Sequence, residues 1–164
     1  MRTVIGVMGS GEDGDAALLG LARDLGAAIA AEGWVLLNGG RDRGVMDASA
    51  AGASAAAGLV VGVLPDADTL GASRHLDIAI RTGLGDARNA VNVLSSDVVI
   101  ALSGGAGTLS EVALALKAGR PVIALAFDVG SGFAEWADDG RLRHASSVAE
   151  AIALTRAALA SGRA

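Results

Sequence analysis

The chain contains no cysteine, which excludes disulfides, thiolate catalysis and zinc–thiolate sites. Proline occurs only twice, aromatic residues make up 2% of the sequence, and Lys117 is the single lysine. So few rings leave no stacking platform for bases. That lysine lies outside any Gly-Lys-Ser/Thr triplet, which excludes a P-loop NTPase. A basic excess is missing too. The formal net charge is -5, whereas a domain that grips a nucleic-acid backbone carries the opposite balance, so no nucleic-acid partner is expected. No apolar run reaches the roughly 18 residues of a membrane helix. Met1–Val7 reads as a strand, not as the charged and apolar regions of a secretory signal. A cytoplasmic protein without a membrane partner is expected.

What is present is apolar and glycine-rich. Hydrophobic residues make up 52%, charged residues 19%, and there are 24 glycines. This fits one folded domain over residues 1–164 with many tight turns. Short β-rich runs alternate with Ala/Leu-rich helical runs. Strands are expected at Thr3–Met8, Trp34–Leu37, Leu59–Leu64, Leu76–Thr82, Asp97–Leu102 and Pro121–Ala126, with an edge strand at Arg141–Ala145. Helices are expected at Asp15–Glu32, Val45–Ala57, Ala87–Ser95, Thr108–Ala118 and Val148–Ala160, and Asp128–Gly140 reads as a loop. Strand–helix alternation implies an α/β fold: a Rossmann-like, doubly wound, mostly parallel sheet with helices on both faces. Strands that are apolar throughout fit a sheet covered on both sides. The run Asp47–Gly58 is nearly all alanine and lacks a polar face, so it packs either against a second subunit or tightly on the sheet.

Three glycine-rich segments fall where strands give way to helices. They are Gly6-Val7-Met8-Gly9-Ser10-Gly11, Asn38-Gly39-Gly40-Arg41-Asp42-Arg43-Gly44 and Ser103-Gly104-Gly105-Ala106-Gly107-Thr108. In open α/β sheets ligands sit beyond the carboxyl ends of the strands. Glycine lets backbone approach a phosphate, and the following helix offers free N–H groups and a partial positive charge. One such turn has a purely steric explanation. Three on one edge point to a shared anion site. A dinucleotide enzyme is disfavoured, because the first turn reads G-x-x-G-x-G and strand two ends at Asn38, not at an acid.

Two charges stand out. Arg88 opens a helix, where a cation opposes the helix dipole, and an anionic ligand or Asp86 would offset that. Glu111 follows Thr108 by three residues, the spacing of a capping box; the alternative is that it faces the cleft as a general acid/base or an acceptor for a ribose hydroxyl. Arg41 and Arg43 flank the second turn and raise the same choice between ligand and solvent. His75 and His144 show no spacing of a metal pair, and no metal site is expected.

Gly104-Gly105-Ala106-Gly107-Thr108-Leu109-Ser110-Glu111 resembles the P-G-G-x-G-T-x-x-E signature of the LOG proteins, phosphoribohydrolases often misnamed lysine decarboxylases. Asn38-Gly39-Gly40-Arg41-Asp42-Arg43-Gly44-Val45-Met46 is similar to their G-G-G-x-x-G-L-M turn. Ala87-Arg88-Asn89-Ala90-Val91-Asn92 looks closer to the molybdenum cofactor carrier branch, which has an arginine–asparagine pair. The likeness runs over nearly the whole chain. It implies a homodimer or homotetramer that binds a small phosphorylated ligand, either molybdenum cofactor or a nucleoside monophosphate, with no further cofactor required. The implied ligand residues are Gly9, Ser10, Gly39, Gly40, Arg43, Met46, Arg88, Asn89, Gly104, Gly105, Gly107, Thr108 and Glu111.

Two functions follow from the resemblance. In a carrier, backbone N–H groups around Gly40 and Gly105 would hold phosphate with Arg88 as counter-charge. In a hydrolase of the N-glycosidic bond, Arg88 and Glu111 would be catalytic, Glu111 stabilising an oxocarbenium-like centre or activating water. Ser103 in place of the signature proline, and Asn89 where LOG enzymes have lysine, favour the carrier; the Arg88 and Glu111 pair favours the enzyme. Pyridoxal-dependent decarboxylation is rejected. Lys117 lies six positions after Glu111, roughly 240° around the helix and pointing away from the glycine turn.

Overall fold

Among the described residues seven strands form one sheet in the order β4-β3-β2-β1-β5-β6-β7, and every pairing in it is parallel. This computed structural model describes residues 1–12 and 15–161. The strands are β1 (Val4–Met8), β2 (Val35–Asn38), β3 (Val60–Leu64), β4 (Ile78–Arg81), β5 (Val98–Ala101), β6 (Val122–Leu125) and β7 (Leu142–Ala145). The helices are α1 (Ala16–Ala31), α2 (Gly44–Ala55), α3 (Arg88–Leu94), α4 (Ala106–Lys117), α5 (Ala134–Asp138) and α6 (Val148–Ser161). The chain winds outward from β1 to β4, then crosses back to β5 beside β1 and winds the other way. That reversal opens a crevice between the carboxyl ends of β1 and β5.

Alternation along the strands other than the exposed edge strand β4 feeds two cores. Ile5, Val7, Leu36, Val60 and Ile100 pack with Leu25 and Ile29 of α1, Ala50 and Ala53 of α2 and Ile152 of α6. Met8, Val99, Ala101 and Val122 pack with Val93 of α3 and Val112 and Leu116 of α4. Both faces are therefore covered, which is why the central strands carry no polar alternation.

The alanine-rich helix finds its partner inside the chain. Ala48, Ala50, Ala51 and Ala53 are buried, and α2 lies so close to α1 that the Gly26 and Gly52 backbones meet the facing helix directly. The expected loop Asp128–Gly140 is more ordered than its sequence implies. It holds a 3-10 turn at Ser131–Phe133 and the short helix α5, whose Trp136 lies with its ring 6.0 Å from that of Phe133. A five-residue helix is too short to show periodicity, so packing of two half-buried rings against the second core is what orders it.

Asn38 ends β2 fully buried and organises the second glycine turn. Its Nδ2 donates to Met46 O at 2.9 Å and Ser49 Oγ at 3.1 Å, and its Oδ1 accepts from Gly40 N at 2.8 Å. Asn38→Ala should cost about 3 kcal/mol, roughly 1 for each bond lost. Urea unfolding checks this: the midpoint should fall with the slope unchanged.

Candidate functional site

The crevice at the switch point is a cavity of about 630 Å³. The β1 and β5 turns are stitched together at its floor: Ser10 N donates to Ser103 O at 3.0 Å, and Leu102 N donates to Met8 O at 2.8 Å. The second turn joins them, because Val45 N donates to Ser10 O at 2.9 Å.

Helix α4 begins at Ala106, two residues earlier than its sequence suggests, with Gly105 at the N-cap and no side chain capping it. The capping-box reading of Thr108 and Glu111 is therefore corrected. Thr108 already lies inside the first turn, and Glu111 in the second, too far along to reach back to the cap. The first N–H groups of α4 face no intrahelical acceptor. Gly105 and Gly107, which have nothing within 4 Å of a notional Cβ, leave them uncovered on the cavity side.

Glu111 instead turns toward α3. Its Oε1 accepts from Asn92 Nδ2 at 2.9 Å and lies 3.5 Å from Arg88 Nη1. Arg88 and Asn92 are one helical turn apart and so share a face of α3. Both charged side chains are largely sheltered, Arg88 at 15% exposure and Glu111 at 8%. Burial raises the Glu111 carboxyl above its ordinary range, opposed by the Asn92 hydrogen bond and the Arg88 charge. Burial likewise lowers the Arg88 guanidinium, opposed by Glu111 and Asp86, while Arg41 adds to the lowering. Among the described residues Arg88 Nε and Asn92 Oδ1 are buried without a partner.

A carboxyl raised in the folded state binds its proton more tightly there than in the unfolded chain. Stability then falls as pH rises from the ordinary value of 4.5 through the raised one, and the full penalty is present above it. Glu111→Gln should thus raise the melting temperature at neutral pH, because a neutral amide carries no desolvation penalty of this kind. The long contact to Arg88 is too weak to reverse the sign. The gain should vanish below the ordinary carboxylate range. A pair of melting curves at neutral and acid pH checks this.

Of the residues expected at the site, Gly9, Ser10, Gly39, Met46, Arg88, Asn89, Gly104, Gly105, Gly107, Thr108 and Glu111 line the cavity. Gly40 and Arg43 do not. The Gly40 N–H is committed to Asn38 Oδ1 and its carbonyl to Ser73 N at 2.8 Å, so this turn has no donor at Gly40 for a phosphate. Arg43 is exposed at the N-cap of α2, and Arg41 is engaged by Asp66 at 2.6 Å. Asn89 Nδ2 donates to Ser110 Oγ at 3.1 Å, tying α3 to α4. Lys117 stands exposed at the far end of α4, away from the cavity. Asn92 is a site residue beyond those expected from the sequence, and its four-residue spacing from Arg88 is the signal that points to it. Asp86, expected only as a charge near Arg88, lines the cavity as well.

Fold and cavity together define a doubly wound α/β protein with a polar pocket at its topological switch point, floored by glycine turns and walled in part by Arg88 and Glu111, with Asn92 buried behind them. The chain belongs to the SLOG cluster4 family, whose model matches residues 2–157. It is 49% identical to the molybdenum cofactor binding protein of Rippkaea orientalis, with a TM-score of 0.91 over 97% of this chain and 98% of that one. The molybdenum cofactor carrier protein of Chlamydomonas reinhardtii is 46% identical, with a TM-score of 0.90 over 98% and 99% of the two chains. A cytokinin riboside 5'-monophosphate phosphoribohydrolase of Mycobacterium tuberculosis is 40% identical over 99 residues, 59% of this chain and 53% of that protein. No helix among the described residues is long and apolar enough to cross a membrane.

Proposed function

We propose that this chain is a carrier of molybdenum cofactor, holding the phosphate of that pterin at the start of α4. The observation that carries the reading is the uncapped N-terminus of this twelve-residue helix, open to the same cavity as the buried guanidinium of Arg88. Backbone donors plus the helix dipole suit a dianionic group, and Arg88 supplies the counter-charge. The cavity's size suits a ligand of this kind, since small-molecule sites span about 300–1,000 Å³. With no cysteine, the chain offers the molybdenum no thiolate, so recognition falls on phosphate and pterin. The likeness to two proteins named for this cofactor supports the choice of cargo. On this reading the chain acts as a homodimer or homotetramer, and exposed Ile78 and Ile80 on edge strand β4 support a further contact.

The test uses cofactor released from a molybdoenzyme, mixed with the purified protein and separated by gel filtration. Molybdenum and pterin fluorescence should co-elute with the native chain and not with Arg88→Ala. Failure of the native chain to retain either would sink the reading. A second reading, hydrolysis of nucleoside 5'-monophosphates, is favoured by the Arg88–Glu111 pair facing the cavity. Release of free base from AMP by the native protein but not by Glu111→Gln would establish it.

A further inference from the structure

Two features at and just behind the cavity wall have no part in phosphate binding. Asn92 is fully buried, yet its side chain is aimed at Glu111, donating from Nδ2 to Oε1 at 2.9 Å. Its own Oδ1 has no partner among the described residues, an arrangement that packing alone would not select. Glu111 receives this bond, and the longer approach of Arg88 Nη1, on the same oxygen. Every hydrogen bond and ion pair that Glu111 makes among the described residues falls on Oε1, none on Oε2, while the side chain lines the cavity. The carboxylate is thus held at one end and presented by the other.

We infer that Asn92 is a positioning residue: it pins Glu111 through Oε1, so that Oε2 alone faces the cavity as an acceptor for an N–H or O–H donor on the bound ligand. This rests on the cavity being the ligand site proposed above. It adds that the ligand must carry a donor group near its phosphate, as an amino-substituted ring or a sugar hydroxyl does, and that a bare phosphate lacks the second anchor. The pin also bears on chemistry. A carboxylate fixed through one oxygen keeps a single orientation, whereas one freed of the Asn92 bond can turn and takes up a proton more readily. The charged groups that bear on Glu111 are Arg88 on α3 and, through Arg88, Asp86 before that helix and Arg41 after β2.

The test begins on the ligand-free full chain, by NMR of the Glu111 side-chain carboxyl carbon across pH. In the native protein the Asn92 side-chain amide signals should shift with the Glu111 midpoint, and that shift should be absent in Glu111→Gln. Asn92→Leu removes the donor at similar volume and should raise the Glu111 midpoint, because the Asn92 bond holds it down. In calorimetry, Asn92→Leu should weaken AMP binding about tenfold, which is the loss of one charge-assisted hydrogen bond. It should leave binding of inorganic phosphate unchanged, and in a Glu111→Gln background it should have no further effect on AMP.

An Asn92 amide flat through the Glu111 titration would overturn the inference. So would an unmoved midpoint in Asn92→Leu, or an equal loss of AMP and phosphate binding. If Asn92→Leu does not fold, the native amide titration alone decides. If AMP does not bind the native chain, the nucleotide-like ligand reading suffers while the NMR result still settles the role of Asn92.

Discussion

Gly39→Ala is expected to abolish most ligand binding while leaving the fold intact. A Cβ at Gly39 would stand 2.6 Å from Arg88 Nη1, 2.7 Å from Nη2 and 2.7 Å from Met46 Sδ. None of these distances is tolerable, so something must move. What moves is decided by stiffness. The obstructing atoms are the ends of flexible side chains, and turning a guanidinium aside costs far less than separating strands. Arg88 already makes only a long contact with Glu111, so little holds it in place. The expected outcome is a melting temperature within a few degrees of native and ligand affinity about 100-fold weaker, near 2.7 kcal/mol. The loss reflects a charge-assisted contact that can no longer be made. Calorimetric titration beside a thermal melt reads both quantities. Native affinity in Gly39→Ala would mean that Arg88 is not where the ligand's charge sits.

Gly52→Ala should do the reverse and break the fold itself. Here the notional Cβ lies 1.9 Å from the Arg23 carbonyl oxygen and 2.8 Å from its carbon. These are backbone atoms in the middle of α1, and they cannot turn away. Gly26 faces the other helix in the same way, 2.0 Å from the Ser49 carbonyl oxygen, so the two helices touch along paired glycines. An added methyl must push α2 off α1, opening the core that Leu25 and Ile29 share with Ala50 and Ala53. In a solvent-exposed helix glycine to alanine gains about 1 kcal/mol. Overpacking a tight helix contact costs about 3 kcal/mol or more, so the clash wins. The melting temperature should fall by about 6 °C or more for a chain of this length. An unchanged or raised melting temperature would show that the helices have slack the close contact denies.

The readable parts of the fold were those set by neighbours in sequence. The runs at Val4–Met8, Val98–Ala101 and Val122–Leu125 are apolar without alternation because they lie in the middle of a covered sheet. Asp15 was placed at the start of the first helix, and its carboxylate does accept from Ala17 N at 2.9 Å. The misreadings have a common physical origin. Thr108-x-x-Glu111 satisfies a local rule, yet Gly105 lets the helix start earlier, and Glu111 gains more from Asn92 than from a cap. Gly40 sits in a turn of the right composition, but its donor is taken by Asn38. The ring pair of Phe133 and Trp136 orders a segment whose own sequence is indifferent.

By itself the sequence determined the alternating elements, the parallel sheet and the three glycine turns at one edge, because each is encoded within a few residues by periodicity and turn chemistry. It also determined what the site could not contain, since missing cysteines and a lone distant lysine are facts of composition. Only the tertiary structure decided which turns open to the cavity and which are closed by their own chain. It alone brought Arg88 and Glu111 together across 23 residues, and set Asn92 between them and the core. Such contacts arise from how α3 and α4 pack on one face of the sheet, and no local pattern records the side chains that meet there.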